Sequence, residues 1–139
     1  MPGPAPKSDR VRRNAPEIPW VDLPVEGRAG VVPKVPAGAG WSARAKAWWK
    51  DAWATPSASQ WVDRGDFWSA VRRAELEDAW GSTKDPKYLT EMRHLDATLG
   101  LTAKARKELR WRIVDGGTVV EQNGEKVADE LAERRRKAS

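Results

Sequence analysis

The stretch LGLTAKARKELRW, residues 99–111, decides how the rest of the chain is read. Gly100 can take the left-handed backbone that closes a helix, and Thr102 is a good N-cap for the next one. Leu101, Ala105, Leu109 and Ile113 recur every four residues and mark one inward face. Wheel geometry puts Lys104, Lys107 and Trp111 on the opposite side, with Arg106 and Arg110 between. The spacing predicts a helix running past Trp111 whose cations and indole are left for a partner subunit or a nucleic-acid surface. A solvated basic face with one incidental tryptophan is the alternative.

Upstream, Lys84-Asp85-Pro86 starts a helix, since proline suits the first helical position. Tyr88, Met92, Leu95 and Leu99 follow at spacings of 4, 3 and 4, a short heptad-like seam. The two-residue turn at Gly100-Leu101 then predicts an antiparallel helical hairpin over about 85–114. The single histidine, His94, sits beside the seam and reads as an ordinary helix residue.

Two further helices precede this pair. One begins at Ser42 and stops before Thr55-Pro56; Trp41, Ala45, Trp48, Trp49, Ala52 and Trp53 form its continuous apolar stripe. The other is predicted over 59–80, with Trp61, Trp68 and Ala79 on one side and Phe67, Val71 and Ala74 widening the arc. Residues 1–40 hold eight of the ten prolines and read as an extended arm, tethered by Trp20, Val21 and Leu23, or as a tail with no role. Residues 115–139 leave two readings open. Asn123-Gly124 between short apolar runs signals a hairpin with Val120 facing Val127. The preferred reading is a last helix from Asn123, with Val127 and Leu131 on one side and Arg134, Arg135, Arg136 and Lys137 at its end, where cations suit the helix dipole. The expected fold is therefore all-α: arm 1–40, helical core 41–114, and a basic C-terminal segment 115–139.

Composition narrows the chemistry. The chain has no cysteine and one histidine, which argues against thiolate metal sites and histidine-based triads. No run approaches the ~20 apolar residues that cross a bilayer. The net charge of +5 is uneven. Five cations and one anion lie within 102–114, Arg10, Arg12 and Arg13 cluster near Asp9, and the tail adds four cations. Clustering of this kind favours a polyanionic partner. Asp63, Asp66, Glu75 and Asp78 could be imagined as metal ligands, but they read as a solvated acidic face.

Four blocks in order, GPAPK (3–7), W-x-x-LP-x-EGR-x-G (20–30), W-x-x-x-A-x-x-WW (41–49) and LGLT-x-x-AR-x-x-LRW (99–111), give the chain a family likeness. It resembles the small terminase subunit of tailed double-stranded DNA phages, notably those infecting actinobacteria. Ala103 stands where that family often has proline, a change the first helical position tolerates. The resemblance implies a helical, non-catalytic protein of the host cytoplasm, without cofactor, that assembles into a ring. It also implies recognition of the packaging-initiation site on phage DNA and recruitment or stimulation of the large subunit, which holds the ATPase and nuclease. No G-x-x-x-x-G-K-[ST] phosphate loop occurs here, in keeping with that role. The helical pair is typically the family's oligomerisation element, which assigns Tyr88, Met92, Leu95, Leu99 and Trp111 to the subunit interface. The DNA contacts expected are Lys104, Arg106, Lys107 and Arg110, then Lys7, Arg10, Arg12 and Arg13 of the arm, and Arg134, Arg135, Arg136 and Lys137 of the tail. The rival readings are a small transcriptional or nucleoid-associated DNA-binding protein and an adaptor that binds only protein.

Overall fold

The computed structural model describes residues 17–127, together with Gly3 and residues 136–137. Helix α1 (Ala43–Trp53) starts where the Ser42 hydroxyl accepts from the amide of Ala45 at 3.3 Å. Its stripe buries Trp41, Ala45, Trp49, Ala52 and Trp53. The rings meet edge to face: Trp49 lies 5.3 Å from Trp41, 5.5 Å from Trp53 and 5.6 Å from Phe67, and Trp53 lies 5.1 Å from Trp61. That geometry sets the positive ring edge against the negative face, so large side chains fill a small interior without sandwich stacking.

A 3-10 turn (Ser57–Gln60) follows Thr55-Pro56, and helix α2 (Arg64–Thr83) begins only at Asp63, whose carboxylate accepts from the Asp66 amide at 2.8 Å. The helix expected over 59–80 is therefore shifted towards the C-terminus. It continues through Gly81, where an added Cβ would come within 2.8 Å of the Arg44 side chain, and ends at Lys84 with φ 54°. Helix α3 (Lys87–Thr98) starts after Pro86 and closes on Gly100, φ +68°. A polar chain ties the first three helices together. Arg44 and Arg73 both donate to Glu77, at 2.8 and 2.7 Å, and Arg73 also donates to Asp96 of α3 at 2.7 Å. The Arg73 guanidinium lies over the Trp48 ring at 5.0 Å.

The chain is not all-α. Beside helix α4 (Ala103–Leu109) there is a four-stranded mixed sheet: β1 (Val21–Pro24), which precedes all the helices, and β2 (Trp111–Asp115), β3 (Thr118–Gln122) and β4 (Glu125–Lys126), which follow α4, in spatial order β1-β2-β3-β4. β1 runs parallel to β2, with Val21 opposite Trp111 and Leu23 opposite Ile113, and the other pairs are antiparallel. The predicted extension of α4 to Ile113 fails at Arg110, whose left-handed φ of 61° breaks the helix. Beyond it Ile113 and Val114 are β-branched, and a partner strand 90 residues earlier gives them a ladder.

The preferred helix from Asn123 is likewise replaced by the hairpin. Asn123 (φ 56°) and Gly124 (φ 75°) both adopt the positive φ of a type I′ turn, and the Val127 amide donates to the Val120 carbonyl at 2.8 Å. Leu131, Arg134 and Arg135 lie outside the described residues. The segment before α1 is built into the fold. Leu23 is fully buried, the Trp49 indole donates to the Pro33 carbonyl at 2.7 Å, and Val32, Val35 and Ala39 pack on the tryptophan core.

Candidate nucleic-acid interface

The corner from Leu99 to Thr102 is held by the groups that receive its carbonyls. The Trp61 indole donates to the Leu99 carbonyl at 2.8 Å, and the Gly100 carbonyl accepts from the Ser57 hydroxyl at 2.5 Å and from Arg106 at 3.2 Å. These contacts satisfy the terminal acceptors of α3 in a buried place, where an unpaired carbonyl would be costly. Gly100 is required there twice over. Its φ is left-handed, and a Cβ would sit 2.2 Å from the Trp111 ring. Thr102 then opens α4, its hydroxyl accepting from the Ala105 amide at 3.1 Å.

Trp111 is thus the first residue of β2, half-buried, with its ring closed over Gly100 of its own chain. It is not an outward residue of α4, as the helical wheel had placed it, because the helix ends two residues earlier. Of the other residues assigned to the subunit interface, Met92 and Leu99 are buried within the protomer. Tyr88 and Leu95 are half-buried, and Leu95 lines a groove between α2 and α3.

The four cations of the stretch divide into two pairs. Arg106 makes a two-pronged ion pair with Glu121 of β3, at 2.6 and 3.1 Å, and Glu121 is buried. Arg110 donates to the Ile18 carbonyl at 3.2 and 3.3 Å and lies 4.1 Å over the Trp20 ring. Arg112, two residues further on and in β2, donates to Asp22 at 2.5 Å. These arginines hold the sheet and the incoming chain to α4. Lys104 and Lys107 are exposed, and neither side chain has a hydrogen bond or ion pair among the described residues. Lys104 shares a shallow depression between α3 and α4 with Arg93, Ala97, Thr102, Ala105 and Glu108. Arg93, itself exposed, is a cation that the sequence reading did not single out. It projects from α3, and only the packing of α3 beside α4 brings it to Lys104.

Lys7, Arg10, Arg12, Arg13, Arg134 and Arg135 lie outside the described residues, while Arg136 and Lys137 are exposed. The partners of the inward arginines, Glu121, Asp22 and Trp20, escaped the sequence reading because each is far away in the chain. The alternation in TVVEQ, which turns Glu121 to one face of a strand, is the signal that could have found the first.

The acidic residues do not converge on a site. Asp63 caps α2, and Asp78 near the other end of that helix accepts from the Ser42 amide at 3.0 Å. Burial, helped by the Asp63 charge, pushes the Asp66 carboxyl up from its ordinary value. The hydrogen bonds from Ser42 hold Asp78 down. Burial alone would raise Glu77, but the guanidiniums of Arg73 and Arg44 outweigh it and bring the carboxyl below the ordinary range. Among the described residues no group of three or more His, Cys, Asp or Glu side chains could hold a metal ion, and no helix is long and apolar enough to cross a membrane.

The model of the family described as phage terminase small subunit matches residues 1–139. No curated protein and no solved structure matches.

Proposed function

Because the chain belongs to the phage terminase small subunit family, we propose that it is the non-catalytic subunit that marks viral DNA for packaging. On this reading it works in the host cytoplasm and assembles with copies of itself into a ring. It binds double-stranded phage DNA at the packaging-initiation site and recruits the large terminase subunit.

The observation that supports the DNA surface is the division of the basic stretch. The Lys104 and Lys107 side chains stand exposed and without partners among the described residues, on a helix held at both ends by internal contacts, whereas Arg106 and Arg110 are engaged within the chain. Lysines so presented act as point charges for phosphate, positioning the duplex rather than reading bases. Each contact releases condensed counterions, and a ring repeats the contacts around the duplex, raising avidity without new chemistry.

Titration of a DNA fragment at several salt concentrations tests this. Lys104→Ala with Lys107→Ala should lower affinity and reduce the slope of log K against log salt by about 1.8 per protomer engaged, with unchanged thermal stability. An unchanged slope removes α4 from the DNA face.

A further inference from the structure

The described residues leave the outward stripe of α2 uncovered. Positions 68, 72, 75, 76 and 79 share one helix face. On it Trp68 is 44% exposed, the most exposed of the nine tryptophans, Arg72 and Glu75 are exposed, and Leu76 and Ala79 are half-buried. Leu76 and Leu95 line a groove of about 400 Å³ between α2 and α3, rimmed by Arg72, Glu75 and Glu91. The Trp68 ring is braced from inside by Phe67, at 5.4 Å edge to face, with Arg64 5.8 Å above it. It is therefore held in place as a protruding anchor.

We infer that this stripe docks on the same stripe of a second copy, α2 against α2 and antiparallel, about a two-fold axis between Arg73 and Ala74. This rests on the reading that the chain assembles with copies of itself, and it names the surface. The residue pattern is self-complementary about that axis, which is also the midpoint of α2. Trp68 falls opposite the partner's Ala79, large against small. Arg72 falls opposite the partner's Glu75, cation against anion. The symmetry makes each pairing twice, as an isologous interface requires. Neighbouring registers are worse. An axis through Arg72 sets it against itself, and an axis through Glu75 faces two carboxylates. Glu91, on the far wall of the groove, offers an arriving Arg72 a second carboxylate. The indole and the leucine groove supply the affinity, while the charges, individually weak at a surface, fix orientation and register. The contact closes on two copies, so a ring containing it is built from pairs and has an even number of subunits.

Sedimentation velocity of the full chain without DNA tests the contact. The wild type should sediment as a dimer or an even-numbered multiple. Arg72→Glu and Glu75→Arg should each weaken pairing by tenfold or more, on the order of the cost of facing like charges twice. Two mixtures of charge should restore it: the two single variants combined, and the double variant R72E/E75R. Trp68→Ala should abolish pairing with circular dichroism unchanged. Arg72, Glu75 and Trp68 are all exposed, so these changes leave the core intact. A monomeric wild type, an odd-numbered assembly, single charge reversals that assemble like the wild type, or single variants that fail to combine each overturn the contact. An odd-numbered ring, or a ring surviving charge reversal, would do so while leaving the ring reading standing. DNA affinity, set by Lys104 and Lys107, is read separately.

Discussion

The tryptophan-filled helical half, residues 41–98, and the basic corner with its sheet, residues 99–127 joined by 17–24, are stabilised by different physics. In the first, large rings at helical spacing bury against one another, and a polar chain from Arg44 through Glu77 and Arg73 to Asp96 pins three helices. In the second, apolar burial is thin: along β2 every residue from Trp111 to Val114 is only half-buried. What closes it are arginines reaching across long stretches of sequence, Arg106 to Glu121, Arg110 to Ile18 and Arg112 to Asp22. A basic run can therefore be largely internal bracing, and the cations open to a ligand are those that packing leaves over.

The largest effect should come from the helical half. Trp49 is almost fully buried, contacts Trp41, Trp53 and Phe67, and donates to the Pro33 carbonyl. Trp49→Ala should destabilise the fold by about 4 kcal/mol, read as a fall in the urea midpoint with little change in slope. A loss under ~1 kcal/mol would mean that the rings are not the core's main support. Next comes the corner itself. Arg106→Ala leaves Glu121 buried without its cation and should cost about 3 kcal/mol. Lys107→Ala, one residue on, should leave stability unchanged within about 0.5 kcal/mol. If Arg106→Ala instead melts like the wild type and weakens DNA binding, the division between bracing and free cations collapses.

How much of this was legible depends on sequence separation. The α1 stripe, the Ser42 cap and the Gly100 closure are local signals, and each appears where the spacing put it. The sheet was not legible because its deciding pairing joins Val21–Pro24 to residues 111–114. No periodicity within WRIVD announces a parallel partner 90 residues away, and the four-residue repeat Leu101, Ala105, Leu109, Ile113 imitates a longer helix. Arg110 breaks it with a left-handed backbone that arginine seldom adopts, which no residue preference would predict. The hairpin carried a readable mark in Asn123-Gly124, but the cations after it favoured a helix end. Among the candidate contacts, Lys104 and Lys107 remain open to a partner. Arg106, Arg110, Met92, Leu99 and Trp111 are used inside the chain, because charge and spacing say nothing about which distant carboxylate or carbonyl will claim a side chain.

The smallest expected effect separates the two halves by pH. Glu77 is held below its ordinary value by Arg73 and Arg44 despite the opposing influence of burial, so the unfolded chain binds its proton more readily than the folded one. Its contribution to stability is then complete above the unfolded value near 4.5 and is lost as pH falls through the lower folded value. Between pH 5 and pH 3 the urea midpoint of the wild type should therefore fall. Glu77→Gln, already weakened by losing the charge between two guanidiniums, should fall less over the same interval. Parallel pH profiles for the two proteins would show that the Arg44–Glu77–Arg73 chain does not tie the helices electrostatically, and that shape alone joins α1, α2 and α3.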